Sequence, residues 1–324
     1  MIAPVVLEAR HLAVRFAGPR RGSHVQALQD ISLTLRGGEV LGLVGESGSG
    51  KTTLARTLLG IQRESSGEIL LDGQRVSGVD ADKARRLRRR IQYVHQDAAA
   101  SLDPWWSVGA SLHEVLKWRG VRDSADRDHK ISEVLALVGL DPDVVARYVH
   151  ELSGGQLRRV ALARILMLEP DIVILDEPTA GLDLSVQATV LSLLIELRAR
   201  LGLTYLVISH DLSLVRRFCD HVAILYLGRI VETAPVGELF STPRHPYTHA
   251  LLGAMLSLEP GTALDDALLD NDPADHGNSG TGCSFQPRCA HAVADCAARV
   301  PPLEPSGEGR EVACWRWRSL QQSI

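Results

Sequence analysis

The run Gly45-Glu-Ser-Gly-Ser-Gly-Lys-Thr-Thr53 constrains this chain more than any other feature. Gly45, Gly50, Lys51 and Thr52 occupy every fixed position of the phosphate-loop pattern G-x4-G-K-[ST]. The flanks agree with it. Glu39 to Val44 is an apolar run of the kind that forms a buried parallel strand, and a helix is expected from Thr53 to Leu59. Gly45, Gly48 and Gly50, with Ser47 between them, let the backbone curl so that successive N–H groups face phosphate oxygens. The helix N-terminus adds partial positive charge. Lys51 is expected to hold the β- and γ-phosphates of a nucleotide. The Thr52 hydroxyl is expected to ligate Mg²⁺, and Thr53 to support an adjacent phosphate.

A second segment supplies the other half of such chemistry. Ile172-Val-Ile-Leu-Asp176-Glu177 reads as a buried strand ending in two carboxylates. Ligands bind at the carboxyl ends of strands in open α/β sheets. Asp176 is expected to hold Mg²⁺, directly or through water, and Glu177 to polarise an attacking water as a general base. The bland reading of both is that they cap the following helix.

The rest of the chain alternates strands with helices, which argues for an α/β fold. Val5 to Phe16 and Ala27 to Leu35 read as strands, as do Gly67 to Gly73, Thr204 to Ser209 and residues 222–232. Residues from about 83 to 165 have helical character, and Val134 to Leu140 reads as one amphipathic helix ending near glycine. Residues 261–282 are dominated by Gly, Asp, Asn and Ser and read as a linker or mobile loop. The chain has 324 residues and a net charge of −4, which makes no general case for a nucleic-acid partner. The Leu87-Arg-Arg-Arg90 run reads as a solvated helix face. No apolar run reaches the ~18–20 residues a membrane helix needs. The start carries no basic n-region, so a cytoplasmic location is expected, with any membrane work done through partners.

Six motifs in order give the chain a resemblance to the ATP-binding subunit of an ABC transporter over about residues 5–260. They are the phosphate loop, Tyr93-Val-His-Gln96, Leu152-Ser-Gly-Gly-Gln156, the Asp176-Glu177 strand, Gly181-Leu-Asp183 and Ser209-His210. The resemblance implies a P-loop cassette: a mixed sheet with a RecA-like core, an antiparallel β subdomain and a helical subdomain at about 87–165. It implies that Gln96 links the nucleotide and its Mg²⁺ to a transmembrane partner. It implies that Ser153, Gly154, Gly155 and Gln156 cap the γ-phosphate bound on an opposite subunit. Asp183 falls in a loop at the dimer interface, and His210 is the switch histidine that contacts the γ-phosphate. Adenine usually stacks on an aromatic residue before the phosphate loop in this family. Phe16 is the candidate, with a core phenylalanine as the rival reading.

The stretch Ser241-Thr-Pro-Arg-His-Pro-Tyr-Thr-His-Ala-Leu-Leu252 resembles the segment after the cassette in oligopeptide and dipeptide importers, a branch that includes nickel importers. It implies an ATPase that works with a second ATP-binding subunit, identical or homologous, with two transmembrane permease subunits and with a solute-binding protein. Soluble ABC ATPases usually carry two cassettes or long coiled coils, and neither is seen here.

Cys283, Cys289, Cys296 and Cys314 form a Cys-rich region over 283–324. In a cytoplasmic protein a metal site outranks disulfides. Four thiolates suit Zn²⁺ or an iron–sulfur cluster, although the Cys-x2-Cys knuckle of zinc ribbons is absent. The branch resemblance implies a [4Fe–4S] cluster, with zinc or no metal as alternatives. Cys219 reads as a buried small residue. Trp105 and Trp106 lie where the resemblance places the contact with a permease, and packing within the helical region is the alternative.

Overall fold

The computed structural model describes residues 3–18, 23–78, 82, 84, 89–97, 101–256 and 281–321. Among them the strands are, in chain order, β1 Val5–Ala17, β2 His24–Arg36, β3 Val40–Val44, β4 Ser66–Leu71, β5 Gln74–Arg75 and β6 Ile91–Val94. Then follow β7 Ile172–Asp176, β8 Thr204–Ile208, β9 His221–Tyr226, β10 Arg229–Pro235, β11 Glu304–Gly307 and β12 Arg310–Val312. The α-helices begin with α1 Lys51–Leu58, α2 Val108–Arg119, α3 Ser124–Leu137, α4 Gly154–Leu166 and α5 Leu184–Leu201. They continue with α6 Leu212–Phe218, α7 Val236–Ser241, α8 Pro246–Leu256, α9 Ala294–Ala298 and α10 Trp317–Gln321. The Gly-Asp-Asn-Ser stretch 261–280 and Leu87 and Arg88 lie outside the described residues.

The chain divides into two compact units. The first comprises Leu7–Thr34, Val40–Leu70 and Ile208–Ile324. Its hydrogen-bonded strands run β11-β12-β10-β9-β3. β3 and β9 are parallel, with Leu41 opposite His221 and Val44 opposite Ile224. β9, β10 and β12 are antiparallel neighbours, so this sheet is mixed. Every residue of β3 is buried, as expected of a strand covered on both faces. Cys219 is buried against β3: a side chain at Gly42 would meet its Sγ at 3.0 Å. β2, β1 and β4 are neighbours, in that order, in another sheet.

The C-terminal residues enter the first unit's sheet, because β12 pairs with β10 with Glu232 opposite Val312. Charge fixes this register as well as backbone. The Glu232 carboxylate, almost fully buried, accepts from the Arg310 guanidinium at 3.5 Å and from the N–H groups of Arg244 and His245, both at 2.9 Å. Arg310 also reaches Glu238 at 3.1 Å. Removing one partner of such a buried pair costs about 3–5 kcal/mol, because the other charge is left in an apolar setting. This charge network holds the connection from β10 to α8 and brings Tyr247, at the start of α8, into the core.

The second unit comprises Met1–Val6, Leu35–Glu39 and Leu71–Val207. Its strands run β8-β7-β6, and β6 lies parallel to β7 with Tyr93 opposite Ile174. Four of the five β7 residues and all of β8 are buried. Helices α2, α3 and α4 supply the helical character expected after residue 83. The amphipathic stretch Val134–Leu140 is the end of α3. It closes where Gly139, at φ +67°, lets the Leu140 N–H reach back to the Leu135 carbonyl at 2.9 Å.

Candidate nucleotide site

The phosphate loop lies wholly in the first unit. It leaves β3 at Gly45, where a Cβ would meet the Leu225 carbonyl oxygen at 2.1 Å, so only glycine fits there. The loop turns through Gly48 at φ +76° and Gly50 at φ +108°. A hairpin turn props it: the Gly228 N–H donates to the Ser49 carbonyl at 2.8 Å, and Gln29 ties Leu227 to β2 through its side chain. Gly50 caps α1, and α1 begins at Lys51. The Lys51 ammonium donates to the carbonyls of Gly45 at 2.7 Å and Glu46 at 2.8 Å, and to Ser49 Oγ at 3.4 Å. It thus spans the concave side of the loop. Ser47, Gly48 and Thr52 are exposed and Thr53 is half-buried.

Two other expected residues fall in the same unit. His210 is exposed directly after Ser209, whose N–H donates to the Leu43 carbonyl at 3.3 Å. That bond sets His210 beside the strand feeding the phosphate loop. Asp211 fixes the backbone after it by accepting from the Ser213 and Leu214 N–H groups at the start of α6. Phe16 stands near the end of β1 at 39% exposure, too open for a core phenylalanine and available for stacking.

The second unit gathers Asp176, Glu177, Gln96 and α4, the helix that opens in the Leu152-Ser-Gly-Gly-Gln156 motif. Asp176 ends β7, half-buried, and accepts from the Tyr93 hydroxyl on the neighbouring strand. Glu177 is half-buried at φ +49°, a conformation side chains rarely adopt. Arg158 on α4 stabilises that turn. Its guanidinium donates to the carbonyls of Glu177 (3.4 Å), Pro178 and Ala180. Burial lowers the Arg158 pKa and the nearby Asp97 charge raises it, with burial the larger effect.

Ser153 and Gln156 close a reciprocal capping box at the start of α4, with bonds of 3.3 and 3.0 Å. Gly154 and Gly155 form the first turn, and a Cβ on Gly155 would meet Val186 at 3.3 Å. Asp183 caps α5, accepting from Ser185 and Val186 N–H at 3.1 and 2.9 Å. Gln96 is exposed just beyond β6. Beside it opens a groove of about 690 Å³ lined by Tyr93, Trp106, Glu114, Trp118, Arg164 and Ile165. Trp105 is 86% exposed and Trp106 half so. Sequence reasoning passed over Arg158, Tyr93 and Trp118. Arg158 stands two residues past Gln156, but nothing in that spacing reveals three carbonyls across the turn.

The four C-terminal cysteines line a single apolar cavity of about 20 Å³ in the first unit. That is room for one water-sized body. None is in a disulfide, and burial raises the thiol pKa of Cys283 and Cys289 and pushes that of Cys314 up to about 11. Among the described residues no group of three or more His, Cys, Asp or Glu is arranged to hold a metal ion. The structure therefore gives the expected [4Fe–4S] or zinc centre no support. The four thiols border one small cavity, but they are not arranged as a ligand set. Among the described residues no helix is long and apolar enough to cross a membrane.

Known proteins agree with this arrangement. Residues 28–180 match the ABC transporter family, and residues 231–296 match the C-terminal region of oligopeptide/dipeptide transporters. A Brucella ovis protein with the provisional name peptide import ATP-binding protein is 44% identical over 96% of this chain and 98% of its own length. A Sinorhizobium fredii protein, provisionally a peptide ABC transporter ATP-binding protein, is 41% identical over 90% of this chain and 82% of its own. Among solved structures, cbiO1 of Clostridium perfringens, part of the ABC transporter complex cbiONQ, aligns with a TM-score of 0.64 at 28% identity. It covers 79% of this chain and 96% of that one. The ABC transporter cassette MJ0796 aligns at 0.63 with 27% identity, over 71% and 98%. This chain accordingly belongs to the ABC transporter family as an ATP-binding ATPase subunit, with the cassette fold and the C-terminal region of the oligopeptide/dipeptide branch.

Proposed function

We propose that the chain powers the import of di- or oligopeptides by ATP hydrolysis as a peripheral subunit at the cytoplasmic face of the cell inner membrane. The observation that carries this reading is one chain holding a cassette match and, directly after it, the oligopeptide/dipeptide-transporter match over residues 231–296. Relatives with peptide import in their names support the cargo.

In this reading two ATP-binding subunits sandwich two nucleotides. Phe16 stacks on adenine. Gly45 to Gly50 with Lys51 and Thr53 cradle the phosphates, and Thr52, Asp176 and Gln96 form the Mg²⁺ shell. Glu177 accepts the proton of the attacking water, and His210 contacts the γ-phosphate. Ser153, Gly154, Gly155 and Gln156 close over the nucleotide of the other subunit, with Asp183 at the interface. The structure of MJ0796 as a dimer in a post-hydrolysis state with ADP and Pi supports a sandwich of this kind for a similar protein. Chemistry rests on positioning and on neutralising charge. Permease subunits dock in the groove by Gln96, where exposed Trp105 and Trp106 offer the aromatic surface that interfaces favour.

Arg158 acts at one remove by holding the Glu177 turn. Arg158→Ala is expected to lower hydrolysis about tenfold or more while MgATP binding stays within about threefold, since charged hydrogen bonds are worth about 1.5–3 kcal/mol each. Single-turnover kinetics on the purified chain check this, and equal losses in binding and hydrolysis would refute it.

On the branch resemblance alone, Cys283, Cys289, Cys296 and Cys314 would be the donors of a structural Zn²⁺ or [4Fe–4S] centre, which would require the four thiols to rearrange into a ligand set and when bound would cross-link the tail. Iron, sulfide and zinc content of protein purified without oxygen decides between them, and absence of all three contradicts both. The partners are tested by tagging the chain, purifying it from detergent-solubilised membranes of its host and identifying what accompanies it. Two permease subunits, a second ATPase and a solute-binding protein are expected. Ribosomal proteins, or no membrane partner, would overturn the importer reading and leave the ATPase site standing.

A further inference from the structure

Glu46 is the second residue of the phosphate loop, and its carboxylate is a liability where a polyphosphate must bind. It is the only acidic residue between Gly45 and Thr53. The structure holds it at three points. Its N–H donates to the Tyr247 hydroxyl at 3.1 Å. Its carbonyl accepts from Lys51 at 2.8 Å. Its carboxylate accepts a forked set of bonds from Arg288, at 3.0 Å to Oε2 and 3.3 and 3.2 Å to Oε1. Two of the three holds come from far along the chain, one from α8 and one from the Cys-rich tail.

Arg288 is built into place. Its side chain is only 2% exposed, against 21% for that of Glu46. It sits in the short helical turn Gln286–Arg288, whose N–H groups at Gln286 and Arg288 donate to the Cys283 and Phe285 carbonyls. Phe285 anchors that turn by packing edge-on to Tyr226 at 5.4 Å and tilted to Tyr247 at 5.5 Å. Arg288 also donates to the Tyr226 hydroxyl at 3.4 Å. A guanidinium so rarely buried, aimed at a loop carboxylate, is poorly explained as filler. A planar fork on a carboxylate sets both its charge and its direction.

The geometry points to Arg288 as a positioning residue for the phosphate loop: the tail neutralises Glu46 and turns its carboxylate aside, so that the loop accepts nucleotide phosphates. The Cys-rich tail is then a working part of the nucleotide site. This rests on the nucleotide-site reading above.

The test is binding of a non-hydrolysable MgATP analogue to the full-length chain by calorimetry. Arg288→Met leaves Glu46 uncompensated and is expected to weaken binding about tenfold. Adding Glu46→Gln removes the repelling charge and should restore most of that loss. Arg288→Lys keeps the charge without the fork and should fall between wild type and Arg288→Met. A purely structural role predicts the opposite pattern, with the double variant no tighter than Arg288→Met, and that result would overturn the inference. So would Arg288→Met binding as tightly as wild type. Should Arg288→Met not fold, the Arg288→Lys variant decides alone: wild-type affinity overturns the inference and a loss of about threefold supports it. A wild-type chain that binds no nucleotide analogue overturns the nucleotide-site reading, and the inference with it.

Discussion

Glu177→Gln is expected to bind MgATP within about threefold of wild type and to hydrolyse it at least about a hundredfold more slowly, the usual yield of a positioned general base. The substitution keeps the size of the side chain and its hydrogen-bonding reach. It removes only the charge that would take the proton from water. Three features make Glu177 the residue where that loss is concentrated. It follows directly on Asp176, which the Tyr93 hydroxyl holds at the end of β7. Its backbone is held at positive φ. Its turn is tied by Arg158 to α4. Binding is read by equilibrium titration and hydrolysis by phosphate release. Near-normal turnover would remove Glu177 from the role of base and turn attention to His210.

Lys51→Ala is expected to lose both binding and turnover, with affinity for MgATP falling about a hundredfold. The Lys51 ammonium already lies across the loop, on the carbonyls of Gly45 and Glu46. Little rearrangement is needed for it to meet phosphate oxygens. Its removal also leaves the Gly45 and Glu46 carbonyls without their shared donor. The same titration checks this, alongside thermal unfolding. A variant that folds like wild type and binds ATP as well would show that Lys51 serves the loop's shape and not the phosphates.

Much of this was legible in the sequence because the informative features are local. The run Val40–Val44 is buried throughout and reads as a buried strand. The glycines at 45, 48 and 50 are required by close approach or by positive φ, which only their residue type announces. Most strand ends came within a few residues, but the stretch 222–232 is two antiparallel strands, β9 and β10, split by a turn at Leu227-Gly228; α1 begins at Lys51, ahead of the expected Thr53, because Gly50 supplies the cap. What escaped notice is non-local. β11 and β12 are short, at 304–307 and 310–312; they pair with each other, and β12 adds to the edge of β10, where Arg310 meets the buried Glu232 carboxylate. Arg158 and Arg288 act on residues 19 to 242 positions away, which no spacing rule reaches. The cysteines were noticed as a set, and they do surround one cavity. Cys296 lies in α9, Cys289 ends the Gln286–Arg288 turn and Cys314 follows β12, so their convergence depends on tertiary packing that sequence spacing does not show.

The most direct measurement takes the complex purified with this chain, reconstitutes it in vesicles with its solute-binding protein, and follows ATP hydrolysis and peptide uptake together. The account predicts that peptide-loaded binding protein raises hydrolysis, that peptide accumulates only with ATP, and that Glu177→Gln abolishes both. Hydrolysis indifferent to binding protein and peptide, with no uptake, would contradict it.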